Sequence, residues 1–435
     1  MRFTKRAGIS IVAVMSAAML TLSACATGVD SGGGDAGGGG SDCVAEGANA
    51  PRAGGDKYIV YMNALNIGNA WQEEAANLGS AVAKMAPYSD CVEVRTELTD
   101  DATPQGQISQ LQSMVAAGAD AVVMYALSPT ALNSAIREAC SQGVTFVSYD
   151  ATVTEPCAYN VSYITTVPTG AEEPFMGFNS MTLLAELMGG TGDIFFSRGI
   201  VGTSTDNVHY LSAMAALQNY PDMNVLTEYE GMWSSPVTQT ETAAALGSFP
   251  NVDGLWCGYG ESGCVKALEA AGLQVPISGE TSQYFRERLL DGWPGVSIGS
   301  PPAQGGIGMK VALAVLLEGP DGIPFDIEVP YQIVTAENVT VCVDNEYQEG
   351  CNVFEPGTVG DESTADIFNE MLPEATLGAS QTGEPEAGAE AVPFTASYLQ
   401  GFEQDESVRF VTREACPEGW TQATLPQNVE GCSQG

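Results

Sequence analysis

From Lys57 onward, short runs rich in β-branched and aromatic residues alternate with longer segments whose apolar residues recur every three or four positions. YIVYM (58–62), VEVRTEL (92–98), DAVVMY (120–125) and VTFVSY (144–149) predict strands. Between them, AWQEEAANLGSAVAKMA, TPQGQISQLQSMVAAG and PTALNSAIREACSQG carry the helical spacing. Strand and helix in strict alternation predict an open parallel sheet with helices on both faces, an α/β fold.

The rhythm then begins again. GDIFF (192–196), MNVLTEY (223–229), DGLWC (253–257) and VPISG (275–279) predict a second set of strands, with helices near 171–188, 206–219, 236–247 and 261–272. Two similar Rossmann-like sheets imply a hinge and a ligand cleft between them. GVSIG (295–299) is followed by a helical run, QGGIGMKVALAVLLEG, and a strand, IEVPYQIV, so the chain crosses between the halves more than once. The expected organisation is an N-terminal lobe of 57–165 plus 300–328 and a C-terminal lobe of 166–299 plus 329–345. Past about residue 340 the alternation stops. ATLGASQTGEPEAGAEAVP is acidic and poor in aromatics, which predicts a mobile linker within a partly disordered extension over 346–435.

The N-terminal end follows different rules. Arg2, Lys5 and Arg6 precede an apolar run from Ile9 to Leu22, the layout of an export signal over residues 1–24 and too short for a stable span. LSAC, ending at Cys25, resembles the lipobox of bacterial lipoproteins, in which that cysteine carries the lipid. The Gly- and Ser-rich stretch after it predicts a flexible tether over 25–56. The expected location is the outer face of the cell membrane, held by lipid alone. Cysteine use agrees: of 11 cysteines, the ten besides Cys25 form an even set, which in an exported chain favours disulfides over metal or redox work. Spacing does not fix connectivity. Sequence neighbours suggest Cys140 with Cys157, Cys257 with Cys264, Cys342 with Cys351 and Cys416 with Cys432, leaving Cys43 with Cys91.

Charge narrows the ligand. Lys and Arg total 15 against 54 Asp and Glu, a net charge of −39, which excludes a nucleic-acid surface built from clustered cations. A small neutral or cationic ligand fits. GYGESG (258–263) follows a strand, opens a helix and has Glu280 about 20 residues on, so it matches the dinucleotide fingerprint in form. It sits on the third strand of its half, however, bracketed by Cys257 and Cys264, and reads better as a ligand-facing loop. Catalytic constellations are thin: His209 is the only histidine, and no GxSxG elbow or metal-ligand spacing occurs. A hydrolase built on two carboxylates is the rival enzyme reading, with no local pattern behind it. No catalytic residue, metal or cofactor is expected.

What recurs is polar or aromatic chemistry where strands end, the place at which open α/β sheets hold ligands. NALNIGNAW follows the first strand; Tyr125, Asp150, Trp233, Tyr259 and Glu280 end later ones. Aromatic rings cover the apolar faces of a sugar or enclose a cation, and carboxylates accept from hydroxyl or ammonium groups.

From about 57 to 345 the chain resembles the type I substrate-binding proteins of ABC transporters, in particular the ribose-like sugar-binding branch. NALNIGNAW, VSYD, RGIVGTSTDN and KALEAAG leading to PISGE carry the resemblance. It implies two lobes that close over a ligand, with crossovers near Thr165 to Pro168, Ser300 and Pro330. It places the stacking aromatic on Trp71, with Asn66 or Gly68 near the polar contact of the first loop, and further ligand contacts on Tyr125, Asp150, Asn207, Trp233, Tyr259, Glu280 and Ser300. Relatives follow the aspartate with arginine and supply a second arginine from the other half; here those positions are Ala151 and Asn207. Without either guanidinium fork, the ribose-like specificity does not carry over. The resemblance implies a monomeric, non-enzymatic protein that delivers a sugar or polyol to an ABC permease. A cationic or aromatic ligand, taken up or sensed, is the alternative. Repressors with the same core are disfavoured, because an export signal stands where DNA-binding helices would be.

Overall fold

The computed structural model describes residues 50–163, 176–329, 332–337, 339, 351–352, 377–392 and 410–411. The first half of the alternation runs β1 (Tyr58–Leu65), α1 (Ala70–Lys84), α2 (Tyr88–Cys91), β2 (Val92–Thr99), α3 (Pro104–Ala116), β3 (Ala121–Met124), α4 (Asn133–Ser141), β4 (Thr145–Tyr149) and β5 (Tyr159–Ser162). The second half runs α5 (Met176–Leu187), β6 (Thr191–Arg198), α6 (Ser204–Leu217), β7 (Asp222–Glu230), α7 (Ser235–Ser248), β8 (Gly254–Cys257), α8 (Glu261–Ala271), β9 (Ile277–Gly279), α9 (Gln283–Leu290) and β10 (Gly295–Gly299). Then come α10 (Ala303–Glu318), β11 (Asp326–Glu328), β12 (Gln332–Thr335), α11 (Leu377–Thr382) and β13 (Phe410–Val411).

Two separate sheets result, with strand orders β13-β11-β5-β4-β3-β1-β2 and β12-β10-β9-β8-β6-β7. All pairings are parallel except those of the edge strands β13 and β12. Central strands such as AVVM of β3 are buried along their whole length, as a sheet covered by helices on both faces requires. On the first sheet, α1 and α10 cover one face and α3 and α4 the other; α5 and α6 pack on one face of the second sheet, α7 and α8 on the other. Each sheet has a point where the strand order reverses, between β1 and β3 and between β6 and β8. The loops leaving those strands are where an open sheet leaves a crevice.

Several expectations need revision. IEVPYQIV is not one strand: β11 pairs with β5 in the first sheet and β12 with β10 in the second, so the chain changes halves between them. Strand β5 and helix α9 went unforeseen. YNVS is too short to show a period, and QYFRERLL reads as polar although Arg286 is fully buried. The tether expected to run to residue 56 is already fixed at Arg52, whose backbone N–H bonds Asp120 Oδ1 (2.7 Å) and whose guanidinium bonds the Ala119 carbonyl (2.5 Å). The expected mobile linker contains α11, docked on α1: Asn77 donates to the Ser380 carbonyl (2.8 Å), and Lys84 to the Gly383 carbonyl (2.8 Å) and to Glu384 (2.6 Å). Helix α1 offers polar groups that an acidic, small-residue segment can satisfy.

Cys140–Cys157 and Cys257–Cys264 are disulfides, and Cys91 and Cys351 are also disulfide-bonded. Cys43, Cys342, Cys416 and Cys432 lie outside the described residues, as do Cys25, the export signal and the crossover at Thr165 to Pro168. Among the described residues, no helix is long and apolar enough to cross a membrane.

Candidate ligand site between the two sheets

The first wall begins in the loop after β1. Asn69 caps α1 by accepting from the Gln72 N–H (3.1 Å), which fixes the first helical turn and with it Trp71 and Gln72. The Trp71 indole N–H bonds the Ser300 carbonyl (2.7 Å), and its ring stacks on Tyr149 with centroids 6.4 Å apart. Tyr125 leaves β3 with its carbonyl held by Gln107 (2.6 Å) and its ring edge-on to both Tyr149 and Trp233. Asp150 leaves β4 with φ 61°, a left-handed conformation uncommon outside Gly, Asn and Asp. Its N–H bonds the Val161 carbonyl (2.8 Å) and its own carbonyl accepts from the Ser162 hydroxyl, so β5 holds the turn in place.

The second wall mirrors the first. Trp233, after β7, is also left-handed (φ 53°), and its indole lies against Gly199, where any Cβ would overlap the ring. Tyr259 and Glu280 leave β8 and β9; Glu280 Oε1 accepts the Tyr259 N–H (2.8 Å). This disposes of the dinucleotide reading of GYGESG. The Gly258 N–H bonds the Ser197 carbonyl (3.2 Å), the next N–H is taken by a carboxyl, and a disulfide closes the loop from Cys257 to Cys264. Gly263 is small because α7 passes directly over it at Ser235, not to admit a phosphate.

The walls meet. Trp71 N–H reaches the Tyr259 hydroxyl (3.2 Å), Tyr125 donates to Thr205 on α6 (3.3 Å), and the Thr152 N–H bonds Ser204 (2.9 Å). Between them lies a narrow cavity lined by Asn69, Trp71, Gln72, Tyr125, Asp150, Tyr163, Thr205, Trp233, Tyr259, Glu280 and Ser300.

Among the described residues, its electrostatics come from two carboxyls and no lining Lys or Arg. Asp150 is pushed up to about 6 by burial, opposed by hydrogen bonds from Ser300 (3.0 Å) and Gln304 (3.0 Å) to Oδ1 and by Thr205. Glu280 is raised well above the ordinary carboxyl range, first by burial, then by the charges of Glu261 and Asp150. His209 sits just behind: burial lowers it to about 3, its Nε2 pairs with the Tyr163 hydroxyl, and its Nδ1 is 3.9 Å from Glu280. Arg198 is engaged elsewhere, in an ion pair with Asp206 (2.5 Å) over the Tyr210 ring. Among the described residues no group of acids, cysteines and histidine could hold a metal.

Of the residues singled out in the sequence, Trp71, Tyr125, Asp150, Trp233, Tyr259, Glu280 and Ser300 are brought together on this cavity, while Asn66 and Asn207 are not. Asn66 is exposed and bonds Asp100 (2.7 Å); the asparagine three residues on, the cap of α1, stands on the wall instead. Asn207 lies two residues beyond Thr205, which its helix turns inward, and its Nδ2 is buried with no hydrogen bond among the described residues. Asn69 was legible as a helix cap. Gln72, Tyr163, Thr205 and Gln304 carry no local signal.

A pair of open parallel sheets facing one another across a buried cavity at both reversal points defines a two-lobed small-ligand binding fold. Residues 59–320 match the family described as periplasmic binding protein domain, and the chain belongs to that family, one of solute-binding transport proteins. A xylitol-binding protein of Mycolicibacterium smegmatis is 26% identical over 280 residues, 62% of this chain and 77% of that protein. Among solved structures, an ABC transporter solute-binding protein from Thermobispora bispora superposes with a TM-score of 0.58 at 24% identity, over 78% of this chain and 98% of its own. A periplasmic solute-binding protein of Actinobacillus succinogenes with bound D-allose gives 0.56 at 20% identity, over 65% of this chain and 98% of its own.

Proposed function

We propose that this chain captures a small uncharged polyol or monosaccharide in the cavity between its sheets and hands it, as a monomer, to an ABC permease. In this reading Cys25 carries the lipid that holds the protein at the outer face of the cell membrane. The observation that carries the reading is the pairing of two buried carboxyls with aromatic faces in a cavity that, among the described residues, no Lys or Arg lines. Hydroxyls donate to Asp150, and the C–H faces of the ligand lie on Trp71 and Trp233. Similarity to a xylitol-binding protein supports the same class.

The cationic alternative requires a strong negative field. Burial and neighbouring acids favour the neutral form of Glu280, which suits a hydroxyl ligand better than an ammonium group. Catalysis is disfavoured by His209, a buried neutral imidazole paired with Tyr163.

The test is calorimetric titration of the full chain with xylitol, D-allose, myo-inositol and choline, backed by thermal shift. A polyol or sugar binds at one site and returns unchanged, adding about 2.7 kcal/mol of stability at a hundredfold excess over Kd. Binding of choline with no response to any hydroxylated ligand overturns the proposal.

A further inference from the structure

Beyond the family match, residues 351–352 return to the ligand cavity from outside. Cys351 and Asn352 are buried at 0% and 2% exposure. Asn352 touches both halves: its N–H bonds Glu74 Oε2 on α1 (2.9 Å), and its side-chain oxygen accepts from the Thr281 hydroxyl after β9 (2.8 Å). The Cys351 carbonyl accepts the Gln283 N–H at the start of α9 (2.9 Å). Glu74 is gripped a second time by Gln381 of α11 (2.6 Å), so the segment that rides on α1 also fixes the carboxyl that Asn352 uses.

The third contact of Asn352 enters the site. Its Nδ2 donates to the Tyr259 hydroxyl (3.3 Å), which also accepts from the Trp71 N–H (3.2 Å). Two donors occupy the acceptor side of that oxygen, which leaves the phenolic O–H as the group with something to give. Tyr259 lines the cavity.

We propose that Asn352 is a positioning residue for the ligand site: it aims the Tyr259 hydroxyl at the ligand and ties the two halves in their closed arrangement. This rests on the reading of the cavity as a polyol site. Hinge opening that separates α1 from the end of β9 must break either the bond to Glu74 or those to Thr281 and Gln283. Contacts made only in the closed form slow ligand escape and leave ligand entry nearly unchanged.

The experiment is stopped-flow tryptophan fluorescence with xylitol, together with small-angle X-ray scattering of the ligand-free full chain. Asn352→Ala raises the dissociation rate on the order of tenfold with full binding stoichiometry and an association rate within about twofold of wild type. Thr281→Val, nearly isosteric, shifts it the same way by less and stands in if Asn352→Ala does not fold. In scattering, either variant has a larger radius of gyration than wild type without ligand. Should wild type ignore xylitol, the polyol reading falls and scattering alone decides the tie. An unchanged dissociation rate, whether with full or reduced stoichiometry, or unchanged scattering in a folded variant, overturns the proposal.

Discussion

Asp150 and Glu280 leave the fourth strands of their respective halves and face one cavity, but their surroundings differ. Asp150 is met by donors from Ser300, Gln304 and Thr205, which offset the cost of burying its charge, and it rises only to about 6. Glu280 receives one backbone N–H and sits beside Glu261 and Asp150, so it is driven much further toward its protonated form. Equivalent positions thus hold one acceptor and one group able to donate.

The strongest way to break this comparison is Asp150→Asn, which suits the left-handed backbone and removes only the charge. Affinity for xylitol should fall roughly 10- to 100-fold by calorimetry, the loss expected for a charged hydrogen-bond acceptor. An equal loss in Glu280→Gln would erase the distinction, because an amide mimics a neutral acid; a change within about threefold is expected there. The pH dependence separates the pair further. A folded pKa of about 6 against an ordinary 3.8 means that the native ligand-free protein binds the extra proton, so Asp150 contributes stability that is lost as pH rises from 3.8 through 6. Thermal midpoints of Asp150→Asn relative to wild type should therefore climb across that window. Glu74 is shifted further than Asp150, from 4.5 to about 8 by burial, so its pH dependence spans a wider window. Its stabilising contribution fades between those values as pH increases, and Glu74→Gln should flatten that part of the wild-type profile, measured by scanning calorimetry between pH 5 and 9.

Both sheets were legible because their central strands are continuous apolar runs, and a run that stops on Asp150 or Glu280 marks its own exit. Side chains on helices were harder. The step from Asn207 to Thr205 turns the direction of the side chain by roughly 200°, and a resemblance aligned by sequence does not resolve which residue faces inward. Gln304 was missed for a related reason: the ligand contact near the crossover was placed on Ser300, and both side chains turn out to reach Asp150. Asn352 had no chance of being found. It meets Glu74 from 278 positions away, beyond the point near residue 340 where the alternation stops, and nothing in its neighbourhood distinguishes it from the acidic extension around it.

The backbone at Asp150 also shapes how this site can evolve. A left-handed residue held by β5 admits Asp, Asn or Gly readily and penalises branched or bulky replacements. Single substitutions at that point can therefore exchange a carboxylate for an amide or an empty space but offer little else. A wider choice of side chains is open at the positions facing it, such as Thr205 and Ser300, whose contacts with Asp150 come from the side chain.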